Sequence, residues 1–318
     1  MKKNLIFLLV ISILLITGCS KENSLFKKAE YLTKKGQYSK ARTLYTEVIK
    51  INPKSYLAYN NRGIINERLG KKDLAQKDYI KAITLNSSFP EVYSNLGALY
   101  IDEDKYYTAL EYLNRAVILD ENYYTARVNR AIASFNLGNA SSALKDINKA
   151  TELMPYHPLA LYNRGLILLQ MGYYIEAITD FNIVIDQQPG NAYAYIERGK
   201  SYAKLEAYLN ALQDFDIAIH LEPTWGLAYH YRSEMFFKLS DYEGSLNDVN
   251  KAIELANAYI PNYELRGDIL ALTDPLAARK DYIFCLRFDK KNAKRYKEKL
   301  ENLKTIEGRK KIVMGRFL

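Results

Sequence analysis

Side chains able to do chemistry are sparse in this sequence. Histidine occurs three times, at His157, His220 and His230, and no two share a metal-ligand spacing. Cys285 occupies a small, core-type position and reads as an inert buried thiol. Asp102, Glu103 and Asp104 are three successive acids at the break between two helical segments. An acid–base pair would need a cleft around them that nothing in the sequence indicates, so they read as a solvated turn. No G-x-S-x-G elbow, P-loop or dinucleotide fingerprint occurs. These observations predict no catalytic residue, no metal and no cofactor.

One cysteine stands in a different context. Lys2 and Lys3 open the chain, and a run of twelve mainly apolar residues follows from Leu5 to Ile16. A membrane-spanning helix needs about 20 such residues, so this run has the length of a secretory signal core. It ends in Ile16-Thr17-Gly18-Cys19, which resembles a bacterial lipobox. The resemblance implies a signal peptide over residues 1–18 and a lipidated tether over 19–21, with Cys19 acylated on sulfur and becoming the new N-terminus. Several acyl chains on one residue hold a protein to a bilayer far more stably than one chain does. Ser20 stands where inner-membrane retention signals carry Asp, so the resemblance favours the outer membrane, facing the periplasm. The competing reading is an uncleaved anchor or a chance cysteine.

Behind that segment the chain repeats itself. Small residues recur at Ala29, Gly63, Gly97, Ala131, Gly165, Gly199, Ser233 and Gly267, each 34 residues from the last. In phase with them run Ala41, Ala75, Ala109, Ala143, Ala177, Ala211 and Ser245, while Pro53, Pro155, Pro189 and Pro223 close their units. Each unit holds two apolar-periodic segments of about 13 residues, split by a residue such as Gly36 or Gly70. That is a helical hairpin with a small-residue seam. A hairpin alone leaves a hydrophobic face uncovered, so neighbours must stack. The pattern resembles the tetratricopeptide-repeat family over residues 22–292. The units are 22–55, 56–89, 90–123, 124–157, 158–191, 192–225, 226–259 and 260–292. The last is one residue short at its turn, and 293–318 reads as a basic capping helix and tail. The resemblance implies an all-α, right-handed superhelical solenoid of hairpins.

A charged pair of columns runs through the same register. Arg62, Arg130, Arg164, Arg198, Arg232 and Arg266 precede the small residue of their first helices. Asp78, Asp146, Asp180, Asp214, Asp248 and Asp281 lie in the second helices of the same units. The two units without the Arg carry Lys28 and Leu96, and they also lack the Asp, carrying Leu44 and Tyr112. An antiparallel hairpin sets the two positions at equal height, which predicts six architectural Arg–Asp pairs. Two independent solvated faces are the alternative.

Function, on this reading, is capture of a protein or peptide. The resemblance implies a concave face lined by set positions of each first helix. In the fourth and fifth units these positions include Val128, Asn129, Ile132, Phe135, Tyr162, Asn163, Leu166 and Leu169, an apolar stripe where a solvated face would be polar. Asn61 and Asn95 extend the amide column of Asn129 and Asn163, suited to a peptide backbone or to a structural role. The predicted activity is a membrane-tethered, non-catalytic scaffold in cell-envelope assembly or maintenance. An envelope enzyme with a hidden site and an inner-membrane assembly subunit are the alternatives.

The formal charge of +9 adds little to this. Residues 290–318 hold eleven Lys/Arg against three Glu, and outside them and Lys2–Lys3 the chain is close to neutral. Nucleic acid, which wants a basic stripe along the folded surface, is not an expected partner. The basic tail is either a solubilising cap or a contact to anionic lipid.

Overall fold

Amphipathic segments joined by breaks of one to four residues can cover their apolar faces only by folding back on one another. The computed structural model describes residues 21–314, with side chains placed for 21–304. The signal segment and Cys19 lie outside the described residues. Within them the chain is helical throughout and no strand occurs.

The helices come in antiparallel pairs. They are α1 (21–34) with α2 (Tyr38–Ile51), α3 (Tyr56–Arg68) with α4 (Lys72–Leu85), and α5 (Pro90–Ile101) with α6 (Tyr106–Leu119). Next are α7 (Tyr124–Asn136) with α8 (Ala140–Leu153), α9 (Pro158–Met171) with α10 (Tyr174–Gln187), and α11 (Ala192–Lys204) with α12 (Tyr208–Leu221). Last come α13 (Gly226–Lys238) with α14 (Tyr242–Leu255), α15 (Ile260–Thr273) with α16 (Pro275–Phe288), and the unpaired α17 (Ala293–Met314). Two compact units result, one running to Asn163 and one from Arg164, the division falling inside α9.

Each hairpin turn carries one residue in the left-handed region, again 34 apart: Gly36, Gly70, Asp104, Gly138, Gly172, Glu206 and Ser240, with φ from +56° to +87°. Glycine adopts that conformation without steric cost. The last hairpin is a residue shorter and skips it. There Asp274 has φ −130° and caps α16, accepting hydrogen bonds from the backbone N–H of Leu276 and Ala277.

The small-residue columns are where the hairpins close. A Cβ on Gly63, Gly97, Gly165, Gly199 or Gly267 would meet Tyr79, Leu113, Phe181, Phe215 or Tyr282 at 2.5–2.7 Å. At the same positions Ala131 stands with Ile147 and Ser233 with Val249, while Ala29 stands with Tyr45. Both seam positions are serine in the seventh unit. There Ser233 Oγ donates to the carbonyl of Ser245, and Ser245 Oγ donates to that of Ser233, at 2.7 and 2.8 Å. Buried hydroxyls are thereby satisfied in a seam too tight for longer side chains.

Candidate functional site

The charged columns form one repeated device. In all six repeats that carry it, the arginine presents Nε and Nη2 to the two oxygens of the aspartate of its own hairpin, at 2.6–2.9 Å. The aspartate side chains are almost wholly covered, and the arginines are about four-fifths covered. The fork-to-fork geometry is one that lysine cannot reproduce.

The third arm of the fork was not foreseen. Nη1 of Arg62, Arg130, Arg198, Arg232 and Arg266 donates to Thr46, Asn114, Asn182, Asp216 and Asn250, at 2.7–3.2 Å. Each acceptor sits 16 residues earlier, in the second helix of the preceding hairpin. One guanidinium therefore closes its own hairpin and ties it to the one before. The sequence held the signal: the acceptors are themselves 34-spaced, and the column reads Ile80 just ahead of the unit that has Leu96 in place of Arg.

Tyrosines complete the device. The rings of Tyr59, Tyr195, Tyr229 and Tyr263 lie 5.5–5.6 Å from the guanidinium carbons of Arg62, Arg198, Arg232 and Arg266. The hydroxyls of Tyr93, Tyr229 and Tyr263 donate to the carbonyl six residues before, in the inter-repeat turn. The tyrosine register is thus explained by packing and turn closure.

One expectation for the groove needs correcting. Val128 is 1% exposed and cannot meet a partner. Its position faces the neighbouring first helix, and the equivalent residues Asn60, Ser94, Ile196 and His230 are buried with it. The amide column is also occupied. Asn61 donates to the Tyr45 hydroxyl and Asn95 to Asn60 Oδ1, at 3.3 and 3.0 Å. Asn129 donates to Ser94 Oγ, and Asn163 to the carbonyl of Leu159 in its own helix, at 3.4 and 2.7 Å. Each of these amides spends one of its two N–H donors inside the fold, and all four side chains stay part-exposed.

Apolar side chains remain. Ile132 and Phe135 on α7 are only part-covered, as are Tyr162, Leu166 and Leu169 on α9, where Leu159 is 49% exposed. Cys285 is fully buried, and desolvation pushes its thiol up to about 12, which holds it protonated and inert. Asp102, Glu103 and Asp104 pair with Lys72, Lys105 and the Tyr106 hydroxyl at an exposed turn. Among the described residues no group of three His, Cys, Asp or Glu is placed to hold a metal, and no helix is long and apolar enough to cross a membrane.

His230 is a buried histidine on α13. It is 5% exposed, packed against the rings of Tyr231 and Tyr259. Glu234 Oε1 lies 3.8 Å from its Nε2. Burial lowers its pKa from 6.5 to about 4. Between those values the unfolded chain binds a proton that the folded chain does not, so stability falls as pH drops from 6.5 towards 4. The expected slope is at most about 1.4 kcal/mol per pH unit. Denaturant titrations across that range should show His230→Asn flattening the dependence; an unchanged slope would assign it to other groups.

Comparison with known proteins agrees with this geometry. Residues 30–70 match a family described as TPR repeat, and 56–89, 90–123 and 162–228 match families described as tetratricopeptide repeat, together just over half of the chain. The chain belongs to the tetratricopeptide-repeat family, whose members act as scaffolds for protein–protein interaction. Hsp70-Hsp90 organizing protein 1 of Glycine max is 36% identical over 85 residues, 27% of this chain and 15% of that protein. The curated relatives are matched over about a quarter of their length or less. A tetratricopeptide repeat protein from Parabacteroides merdae shares the fold, with a TM-score of 0.57 and 20% identity over 79% of this chain and 99% of that one. YrrB, described as a TPR protein with an unusual peptide-binding site, aligns with a TM-score of 0.50 and 27% identity, over 58% of this chain and 96% of its own.

Proposed function

We propose that this protein is a membrane-tethered, non-catalytic scaffold that holds an apolar segment of a protein partner. The carrying observations are the part-exposed Ile132 and Phe135 of α7 in the first unit and, separately, the part-exposed Leu166 and Leu169 of α9 in the second. Exposed apolar surface in register on a folded protein marks a partner site. YrrB, which resembles this chain, is described as having a peptide-binding site, and that supports the reading. Ile132→Asp and Leu166→Asp should each leave the melting transition nearly unchanged and remove partners recovered by affinity capture from envelope extract. Unaltered capture by both variants would reject the stripe.

The tether is the second half of the proposal. Cys19 closes a lipobox-like stretch, and Ser20 favours sorting to the outer membrane, facing the periplasm. Work in cell-envelope assembly or maintenance follows from that address. Radioactive palmitate should label the chain and Cys19→Ala should abolish the label. A labelled Cys19→Ala variant, or an unlabelled native chain, would overturn the anchor.

A further inference from the structure

The near-neutral body hides a strong local asymmetry. Residues 21–54 hold nine Lys/Arg against three Glu, whereas 55–289 hold 23 Lys/Arg against 30 Asp/Glu. The first hairpin is therefore a basic module on an acidic array.

Five of the nine lie on α1 or in the turn after it. α1 packs Leu25, Phe26, Ala29 and Leu32 into the core of the first hairpins. The opposite face exposes Lys27, Lys28 and Lys34, with Lys35 in the turn that follows and Lys21 the first described residue. Tyr31, 60% exposed, stands among them, and Lys35 Nζ lies 5.9 Å from its ring centre. Of the acids on this helix, Glu22 is half-buried and accepts a hydrogen bond from Asn52 Nδ2, and Glu30 is exposed. Among the described residues none of these lysines is in an ion pair.

Terminal helices of repeat arrays need a polar outer face for solubility, and mixed charges supply it. The described part of the last helix pairs several of its basic side chains. On α17, Arg295 and Lys299 are paired with Glu264, Lys299 also with Asp268, and Lys304 with Glu301. The α1 face instead presents several lysines against the single exposed Glu30, none of them in an ion pair, around an amphipathic ring suited to a membrane interface.

We propose that this face of α1 binds the anionic headgroups of a bilayer. Its position suits that occupant. Lys21, the first described residue of α1, stands two residues after Cys19 in the sequence, and two residues span at most about 7 Å. This last point rests on the tether proposed above; the charge distribution does not. A lipid anchor and a basic patch together hold a protein to a membrane more firmly than either alone, and each lysine near an anionic surface adds about 1 kcal/mol. The basic tail over residues 309–318 lies outside the residues whose side chains are described.

The test uses the chain from Ser20 onward, which lacks the acylated residue and keeps every described contact. Sedimentation with phosphatidylcholine vesicles containing phosphatidylglycerol should recover the protein, and phosphatidylcholine alone should not. Binding should weaken steeply with added salt. Replacing Lys27, Lys28 and Lys35 by Gln should lower the affinity about a hundredfold, three lysines at about 1 kcal/mol each. These side chains are exposed, so the variant's helical circular dichroism and melting should match the parent. Equal binding to both vesicles, or full binding by the Gln variant with loss on deleting residues 309–318, would overturn the proposal. Capture of an acidic protein with no vesicle binding would also overturn it. Because the chain carries no acyl group, failure here leaves the palmitate result at Cys19 standing, and the reverse holds.

Discussion

Arg198→Ala is expected to cost about 3–5 kcal/mol, the range for removing one partner of a buried ion pair. The Asp214 side chain is 3% exposed, and both its oxygens take hydrogen bonds from Arg198. Without the guanidinium, a buried carboxylate is left uncompensated. The tie to Asn182 in the preceding hairpin and the stacking on Tyr195 are lost with it. Arg198→Lys should recover only part, since an ammonium cannot supply three planar arms. The double change Arg198→Leu with Asp214→Tyr copies the third repeat, which has Leu96 and Tyr112, and should restore much of the loss. Denaturant unfolding gives all three values. If the single variant costs less than about 1 kcal/mol, the ladder is a surface feature of little weight.

Gly97→Ala should destabilise by about 1–3 kcal/mol through overpacking, even though alanine favours a helix over glycine by about 1 kcal/mol. The added Cβ would lie 2.5 Å from Leu113 Cγ, a branch point on a fully buried side chain that cannot swing aside. Adding Leu113→Val should bring stability back to within about 1 kcal/mol of the parent. That pairing imitates the seventh repeat, where Ser233 stands with Val249. Thermal melts of the two single variants and the double complete the cycle. Additive single effects would show that the seam tolerates the methyl by shifting its backbone.

Much of this was legible before any coordinates. The 34-residue columns identify two helices per unit, the small seam residues, the shortened last hairpin and six Arg–Asp pairs, because a period in the chain becomes a face on a helix. Co-variation among the repeats of one chain did the rest: Leu96 with Tyr112 told as much as the six pairs.

What periodicity leaves open is which neighbour covers each face. Val128 and Ile132 are four residues apart on one stripe of α7, yet the adjacent first helix buries the first and leaves the second part-exposed. Asn95 looked free to meet a peptide until α3 brought Asn60 Oδ1 within 3.0 Å. The third arm of each arginine likewise finds its acceptor only when the preceding hairpin stacks at the right height. The sequence by itself determined the helices, their seams and the pairs within each hairpin, since those depend on spacing along the chain. Exposure and the bonds between hairpins were decided by the tertiary structure, since they depend on how far apart stacked helices lie and on which side chains reach across.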